Sequence, residues 1–337
     1  MASITIYKVE KYNSSYYKIF SGVYNDFKIN AAKDYNFELA PLDYDNFIKS
    51  VERGLLECLI LFEDDIPTGF LVYTTIISES IELNIIHLIG NENINSRKTL
   101  LLEKFLEINK ILMREKVVTY PMMGKQASFA SDIEKFGFKT VNTSVMSISL
   151  KDLNYPGRFF AKENDSSSLK LPLGYSISNW KTSYFKDAAE VIHQAFKNSS
   201  DALFDSRFTS VNGCRDILEK ITENIYGDFL PGITKVLLCK KNPVGFCFAN
   251  LTNDKIANIP LVAILKKHRN HGFGKILLKH LCDNITDAAI SGGWTLEELN
   301  ASCDSDNIAA VNMYKSAGFT EQYSYLQAYR PKITNYC

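Results

Sequence analysis

The chain repeats itself. Leu59–Phe70 lies against Lys235–Phe246 at a constant offset of 176 residues, and each segment reads as a strand, a tight turn and a second strand. Carried forward, the offset lays the strand Ile81–Ile89 on Ala257–Leu265 and the helix pair Leu101-Leu102 on Leu277-Leu278. Farther on, Lys135–Phe138 echoes Ser316–Phe319 at an offset of 181, a drift that loop lengths absorb. A repeat of this length implies tandem duplication of one α/β unit. Each copy is expected to run strand, two helices, three strands, a long helix, a strand, a short helix and a final strand. The second copy should place strands at Tyr175–Trp180, Thr234–Cys239, Val244–Leu251, Ile256–Leu265 and Thr295–Cys303. Its first helix carries Ala188, Val191, Ile192, Ala195 and Phe196 as one apolar stripe. Pro156, Gly157, Ser166–Ser168 and Pro172 mark a linker, which gives a first domain over 1–150, a linker over 151–173 and a second domain over 174–337.

The chemistry concentrates in the second copy. Arg269-Asn270-His271-Gly272-Phe273-Gly274 stands between an apolar strand (Ile259–Leu265) and a helical segment (Lys275–Ile290). Two glycines at a strand-to-helix turn let backbone N–H groups approach an anion with no Cβ in the way, and the helix N-terminus adds positive partial charge. That combination suits a pyrophosphate. About 30 residues later, Asn307–Phe319 reads as a short helix closed by Gly318, with Ala310, Met313, Tyr314 and Ala317 along one face.

With these two motifs in this order, the sequence resembles the GNAT superfamily of acyl-CoA-dependent N-acyltransferases. The family's Arg/Gln-x-x-Gly-x-Gly/Ala loop matches Arg269, Gly272 and Gly274, and its Asn-x-x-Ala-x-x-x-Tyr-x-x-x-Gly-Phe segment matches Asn307, Ala310, Tyr314, Gly318 and Phe319. The resemblance implies two tandem GNAT-like α/β (α+β) domains, each a mixed, mostly antiparallel sheet flanked by helices. It implies acetyl-CoA as co-substrate and no metal. It also implies that pantetheine pairs with backbone at Ile264, Leu265 and Lys266 while the pyrophosphate sits on Asn270, His271, Gly272, Phe273, Gly274 and Lys275. Lys266, Lys267, Arg269, His271 and Lys275 would surround the site with positive charge, or form an ordinary solvated rim.

The first copy lacks this equipment. Asn93, Ser96 and Lys98 stand where the second has Arg269, Gly272 and Gly274, and Ile133 stands where it has Tyr314. The first copy is therefore expected to keep the fold without the acyl-CoA site and to support the catalytic half.

Acylation of an amine needs a proton taken from the ammonium and one given to the departing thiolate. By resemblance Tyr314 is the donor to sulfur. Where some family members carry a Glu, eleven residues before the loop arginine, this chain has Asn258. Glu298, sharing a strand face with Asn300 and Ser302, is the candidate base, with a water chain as the alternative. Asp201–Phe208, with its aromatics, two aspartates and arginine, would hold an amine that also bears a carboxylate, or be a plain surface loop. His193 and His87 fall on apolar elements and read as structural, whereas His268 fits either role.

The expected activity is N-acetylation of a small-molecule primary amine by direct attack. Acetylation of a protein N-terminus or lysine is one alternative, and an acyl-CoA sensor without turnover is another. Lys plus Arg equals Asp plus Glu at 38 each, so no general field attracts nucleic acid or an anionic membrane. Neither a membrane-length apolar run nor a signal-peptide pattern is present, and the seven cysteines lack metal-ligand spacing, so a cytoplasmic protein with reduced thiols is expected.

Overall fold

A computed structural model describes residues 5–36, 41–77, 80–150, 171–292 and 295–332. Most of the expected linker, residues 151–170, lies outside the described residues. By contacts the chain divides into two compact units, Met1–Val141 with Tyr325–Cys337, and Asn142–Ser324.

The first unit runs β1 (Tyr7–Lys11), α1 (Tyr17–Tyr35), α2 (Tyr44–Glu52), β2 (Glu57–Glu63), β3 (Ile66–Thr74), β4 (Ser80–Leu88), α3 (Ile94–Ile108), β5 (Val117–Met122) and the short α4 (Ala130–Ile133). Strands β1 to β4 form an antiparallel meander, and β4 then pairs with β5 in parallel over Ser80–Glu82 and Val117–Thr119. Alternate residues divide between two cores. Leu59, Leu61, Leu71 and Ile86 meet Leu101, Leu102 and Phe105 of α3, while Cys58, Ile60, Phe70 and Ile85 meet Phe20, Tyr24 and Phe47 of α1 and α2.

β6 (Lys139–Ser149) begins in the first unit and crosses into the second. The second unit continues with β7 (Tyr175–Asn179), α5 (Phe185–Phe196), α6 (Asp201–Phe204), α7 (Val211–Thr222), β8 (Asp228–Phe229), β9 (Lys235–Cys239), β10 (Asn242–Cys247), β11 (Asn250–Asn253), β12 (Ile256–Ile259), β13 (Val262–Ile264), α8 (Phe273–Gly292), β14 (Glu298–Asp304) and α9 (Ile308–Ser316), and β15 (Thr320–Arg330) begins in the second unit and ends in the first. Within it the strands form two ladders, β6-β14-β12-β11-β8 and β13-β10-β9-β7.

The repeat is visible in the hydrogen-bond register. Gly69 pairs with Leu88 and Leu61, and Gly245 pairs with Ile264 and Leu237, each at the 176 offset. A Cβ at Gly69 would come within 2.8 Å of the His87 carbonyl, and one at Gly245 within 3.0 Å of the Ala263 carbonyl, so both copies need the glycine for close strand approach.

The division by contacts differs from one drawn along the sequence. Thr143–Ser149, which ends the first copy, pairs with Glu298–Asp304 of the second unit. Conversely, Leu326–Arg330, which ends the second copy, pairs with Val118–Met122 of the first unit. The last strand of each copy has been exchanged, a change that sequence similarity does not register. Two strands expected in the second copy are also broken. Val244–Leu251 is split into β10 and β11, and Ile256–Leu265 into β12 and β13.

Candidate active site

The break between β12 and β13 creates the site. β12 pairs in parallel with β14 over Ile256–Ile259 and Glu298–Ala301. Pro260 follows, with no N–H to extend the ladder, and β13 turns away to pair with β10. Leu261 and Leu265 bond to β10, through Phe248 N–H at 2.9 Å and the Val244 carbonyl at 3.0 Å. By strand alternation, Val262 and Ile264 turn their backbone groups the opposite way. A cleft of about 470 Å³ lies there, lined by Val262 and Ile264 on one side and by Ser302, Cys303 and Asp304 of β14 on the other.

The glycine loop lies along the same cleft. Lys266–His268 form a short 3₁₀ turn, Asn270 and Gly272 take φ of +64° and +74°, and α8 starts at Phe273. Ile276 N–H donates to the Gly272 carbonyl at 3.1 Å, which leaves the N–H groups of the first helical residues without carbonyls of their own helix. Gly272, Phe273, Gly274 and Lys275 line the cleft, so the positive pole of α8 faces it. The two glycines serve different ends. Gly272 supplies the left-handed φ, with open space where a Cβ would be, whereas a Cβ on Gly274 would come within 2.7 Å of Met313 Sδ.

Several expected ligands have other engagements. Arg269 donates from Nε to the Ile264 carbonyl at 2.9 Å and from Nη2 to the Ala195 carbonyl at 3.1 Å. It thereby clips the loop to the C-terminal turn of α5, where a cation is favoured. His271 stacks on Phe273 with ring centroids 5.6 Å apart and bonds the Arg269 carbonyl through Nδ1 at 2.7 Å. Leu265, Lys266 and His271 do not line the cleft, and Leu265 N–H is already bound to β10, so the backbone that faces the cleft is Val262 and Ile264. Asn307 lines it while capping α9 through Ala310 N–H at 3.2 Å. His268 also lines it and is tied through Nδ1 to the Tyr175 hydroxyl at 2.8 Å. Burial, then Lys267 and His271, hold its pKa below that of an ordinary imidazole.

Tyr314 lines the cleft from α9 and is 4 % exposed, its ring tilted against Phe319. Burial pushes its phenol well above the ordinary value, so it remains a proton donor at neutral pH. Glu298 does not join it. It opens β14 at the end paired with Ile256, four residues before Ser302, and is not among the residues of the cleft. At about 3.3 Å per residue that places Glu298 about 13 Å of strand from Ser302 and about 10 Å from the level of Ile259 on the paired strand, beyond direct hydrogen-bond reach of these lining residues.

The carboxylates that do face the cleft are Asp201 of α6 and Asp304 of β14. Burial, then the charge of Asp304, raises the pKa of Asp201, and Asp304 accepts a hydrogen bond from Ser200 Oγ. Phe196 and Phe208 complete this wall, stacked at 4.8 Å. Arg207 does not open onto the cleft. Its guanidinium is bound to both oxygens of Asp205, to Asp216 at 2.9 Å and to Tyr226. Sequence reasoning missed Pro260, Val262 and Asp304, although a proline inside an apolar strand is itself a signal for a break.

In the first unit the equivalent cleft is filled by the unit's own side chains. Ile86, the counterpart of Val262, donates its N–H to Gln126 Oε1 at 3.1 Å, and the Tyr120 hydroxyl donates to the same oxygen at 2.5 Å. Arg97 pairs with Glu63 and donates to the carbonyls of Ile89 at 3.0 Å and Thr68 at 3.3 Å. Lys98, the counterpart of Gly274, is 2 % exposed with its ammonium 5.5 Å from the Phe129 ring, and burial lowers its pKa to about 8.

Residues 214–319 match the model of the Acetyltransferase (GNAT) family. No curated protein matches the chain. Among solved structures, a GCN5-related N-acetyltransferase from Sphaerobacter thermophilus is similar over 97% of each chain at 14% identity, with a TM-score of 0.60. A tandem GNAT protein from the clavulanic acid biosynthesis pathway is similar over 98% of this chain and 100% of its own, at 10% identity and a TM-score of 0.52. The glucosamine N-acetyltransferase region of a fungal multi-domain GH3 β-N-acetylglucosaminidase is similar over 97% of this chain and 38% of that one, at 12% identity and a TM-score of 0.60. At these identities the likeness is one of fold. Among the described residues no group of three or more His, Cys, Asp or Glu is placed to hold a metal, and no helix is long and apolar enough to cross a membrane. With the family match over residues 214–319, which supply the loop, β14 and α9 lining of the cleft, and the fold likeness spanning the chain, the protein has the tandem GNAT fold, and its second copy contains the segment that matches the GNAT family.

Proposed function

We propose that the protein is an acetyl-CoA-dependent N-acetyltransferase acting on a primary amine of a small molecule. The observation that carries this reading is the coincidence, in one cleft, of strand backbone freed by the β12–β13 break, the N-terminus of α8 behind Gly272 and Gly274, and the Tyr314 phenol. The Val262 backbone and the Ile264 N–H are suited to the pantetheine amides, the Ile264 carbonyl being held by Arg269. The N–H groups from Asn270 to Lys275 suit the pyrophosphate, with Lys275 adding charge along the cleft and Lys266, Lys267 and His271 lying nearby. Free cysteines among the described residues suit a reducing, cytoplasmic setting.

In the reaction the acceptor ammonium gives its proton to Asp201, whose raised pKa narrows the gap to that of an amine. The freed nitrogen attacks the thioester carbonyl and a C–N bond forms. The C–S bond then breaks, the thiolate takes the proton of Tyr314, the second proton shed by the newly acylated nitrogen restores the phenol through solvent, and Asp201 releases the first proton to solvent.

Incubation of acetyl-CoA with a panel of amines, read by mass change and thiol release, tests the reading. Transfer by the wild type should fall by about 10² to 10⁴-fold in kcat for Tyr314→Phe, with little change in acetyl-CoA affinity. Acetyl-CoA binding with no turnover across the panel would make the protein a sensor. An unchanged kcat in Tyr314→Phe, with chemistry rate-limiting, would make Tyr314 a packing residue.

A further inference from the structure

The cleft is electrostatically divided. Arg269 and Lys275 line it on the loop and α8 side, and Asp201 and Asp304 line it from α6 and β14. Cys303, also in the lining, is a neutral thiol, its pKa pushed up to about 11 by burial and then by Asp304, Asp201 and Glu321. Arg207, the arginine that the sequence offered to an acceptor carboxylate, is committed to Asp205, Asp216 and Tyr226. The other charged or titratable groups lining the cleft are His268, Arg269, Lys275 and Tyr314, all contributed by the loop, α8 and α9.

Resting on the amine-acylation reading above, we propose that the acceptor is a cationic amine with no carboxylate beside the reacting nitrogen, its ammonium held by Asp201 and Asp304 and its apolar body laid along Phe196 and Phe208. A carboxylate next to that nitrogen would meet two like charges, and Arg269, the cation that reaches this wall at Ala195, is engaged with the Ile264 and Ala195 carbonyls; like-charge juxtaposition disfavours such a ligand. The stacked phenyl rings give an aromatic or aliphatic body a flat apolar wall. Ser200 orients Asp304, so its role is to position the charge.

Phenethylamine and phenylalanine differ by the carboxylate alone and make the test. Calorimetry on the full chain saturated with CoA should show phenethylamine binding at least about 10-fold more tightly than phenylalanine. Asp304→Asn combined with Asp201→Asn should close most of that gap by weakening phenethylamine, and the double variant is admitted to the comparison once it binds CoA as the wild type does. Equal binding of the two probes, binding of neither, or a gap that the double variant leaves intact overturns the proposal. Acetyl transfer is read in parallel and separates the two failures. Selective binding without transfer keeps the cation site and removes the transferase reading, while equal kcat/KM for both probes keeps the transferase and removes the selectivity.

Discussion

The same two strands splay apart in both units, after Glu82 in the first and after Ile259 in the second, and what happens past the fork differs. In the first unit a carboxamide from Gln126 reaches the Ile86 N–H, Lys98 and Phe129 fill the space, and Arg97 holds the carbonyls at the end of the strand. In the second, Asn307 stands where Gln126 would be and bonds its own helix, Ala310 replaces Phe129, Gly274 replaces Lys98, and a cleft of about 470 Å³ is left. A fork between strands exposes backbone groups that must find partners. One copy satisfies them from within, and the other, apart from the Ile264 carbonyl held by Arg269, leaves them facing a space that a ligand can enter. The helix beyond the fork follows suit. At the 176 offset α3 begins at Ile94, three residues ahead of the position equivalent to Phe273, so helix occupies what is loop in the second copy.

The contrast breaks most easily at Gly274. Gly274→Val places a branched side chain where the first copy has lysine, and its nearest neighbour, Met313, is flexible enough to move, so the fold should survive. Acetyl-CoA binding should fall by at least about 10²-fold, because two charge-assisted hydrogen bonds at roughly 1.5–3 kcal/mol each lose their geometry. Calorimetry of the wild type should give one acetyl-CoA per chain. Two equivalent sites, or an unchanged affinity in Gly274→Val, would erase the distinction between the copies.

Lys98→Met sharpens it from the other side. The lysine is charged in both states below about pH 8, and its lowered pKa means that burying the charge costs stability there. Between about 8 and the ordinary 10.5 the unfolded chain binds more protons than the folded one, so the stability of the wild type should rise with pH through that window. Methionine should add up to about 3 kcal/mol at pH 7 and flatten the rise, as measured by urea unfolding at a series of pH values. A variant less stable than wild type at pH 7 would show that the ammonium is stabilising where it lies.

The smallest effect is expected of Gln126→Ala, which strands the Ile86 N–H and the Tyr120 hydroxyl and should cost about 1–3 kcal/mol in the same measurement. It should not create a second acetyl-CoA site, because Arg97, Lys98 and Phe129 still fill the fork. A second site in this variant would show that Gln126 alone closes it.

The duplication was legible because strand pairs around Gly69 and Gly245 carry the same local pattern, and the loop because glycines at a strand-to-helix turn are locally specified. The fork was not. A strand that changes partners at Pro260 keeps its hydrophobic content, so periodicity reads Ile256–Leu265 as one element, and only the proline hints otherwise. Glu298 was chosen by strand parity, which fixes the face of a residue but not its distance along the strand. Asp304 needed the tertiary fold, because β14 brings it to Ser200, at the start of α6, from 104 residues away. The role of Arg269 as a clip on two carbonyls is likewise invisible in a motif that names the residue without its partners.

The exchanged last strands also bear on synthesis. Asn142–Ser324 is one continuous stretch, so every strand of that unit has left the ribosome once residue 324 emerges. Most of the other unit is translated first, yet β5, paired with β4 along one edge, finds a partner for its second edge only in Leu326–Arg330. Until then β5 offers an open edge, a template for pairing with another nascent chain. The unit whose strands are mostly made first is thus completed after the other, and a chain stopped shortly before residue 326 would lack only this pairing segment among the described strands and still be prone to aggregate.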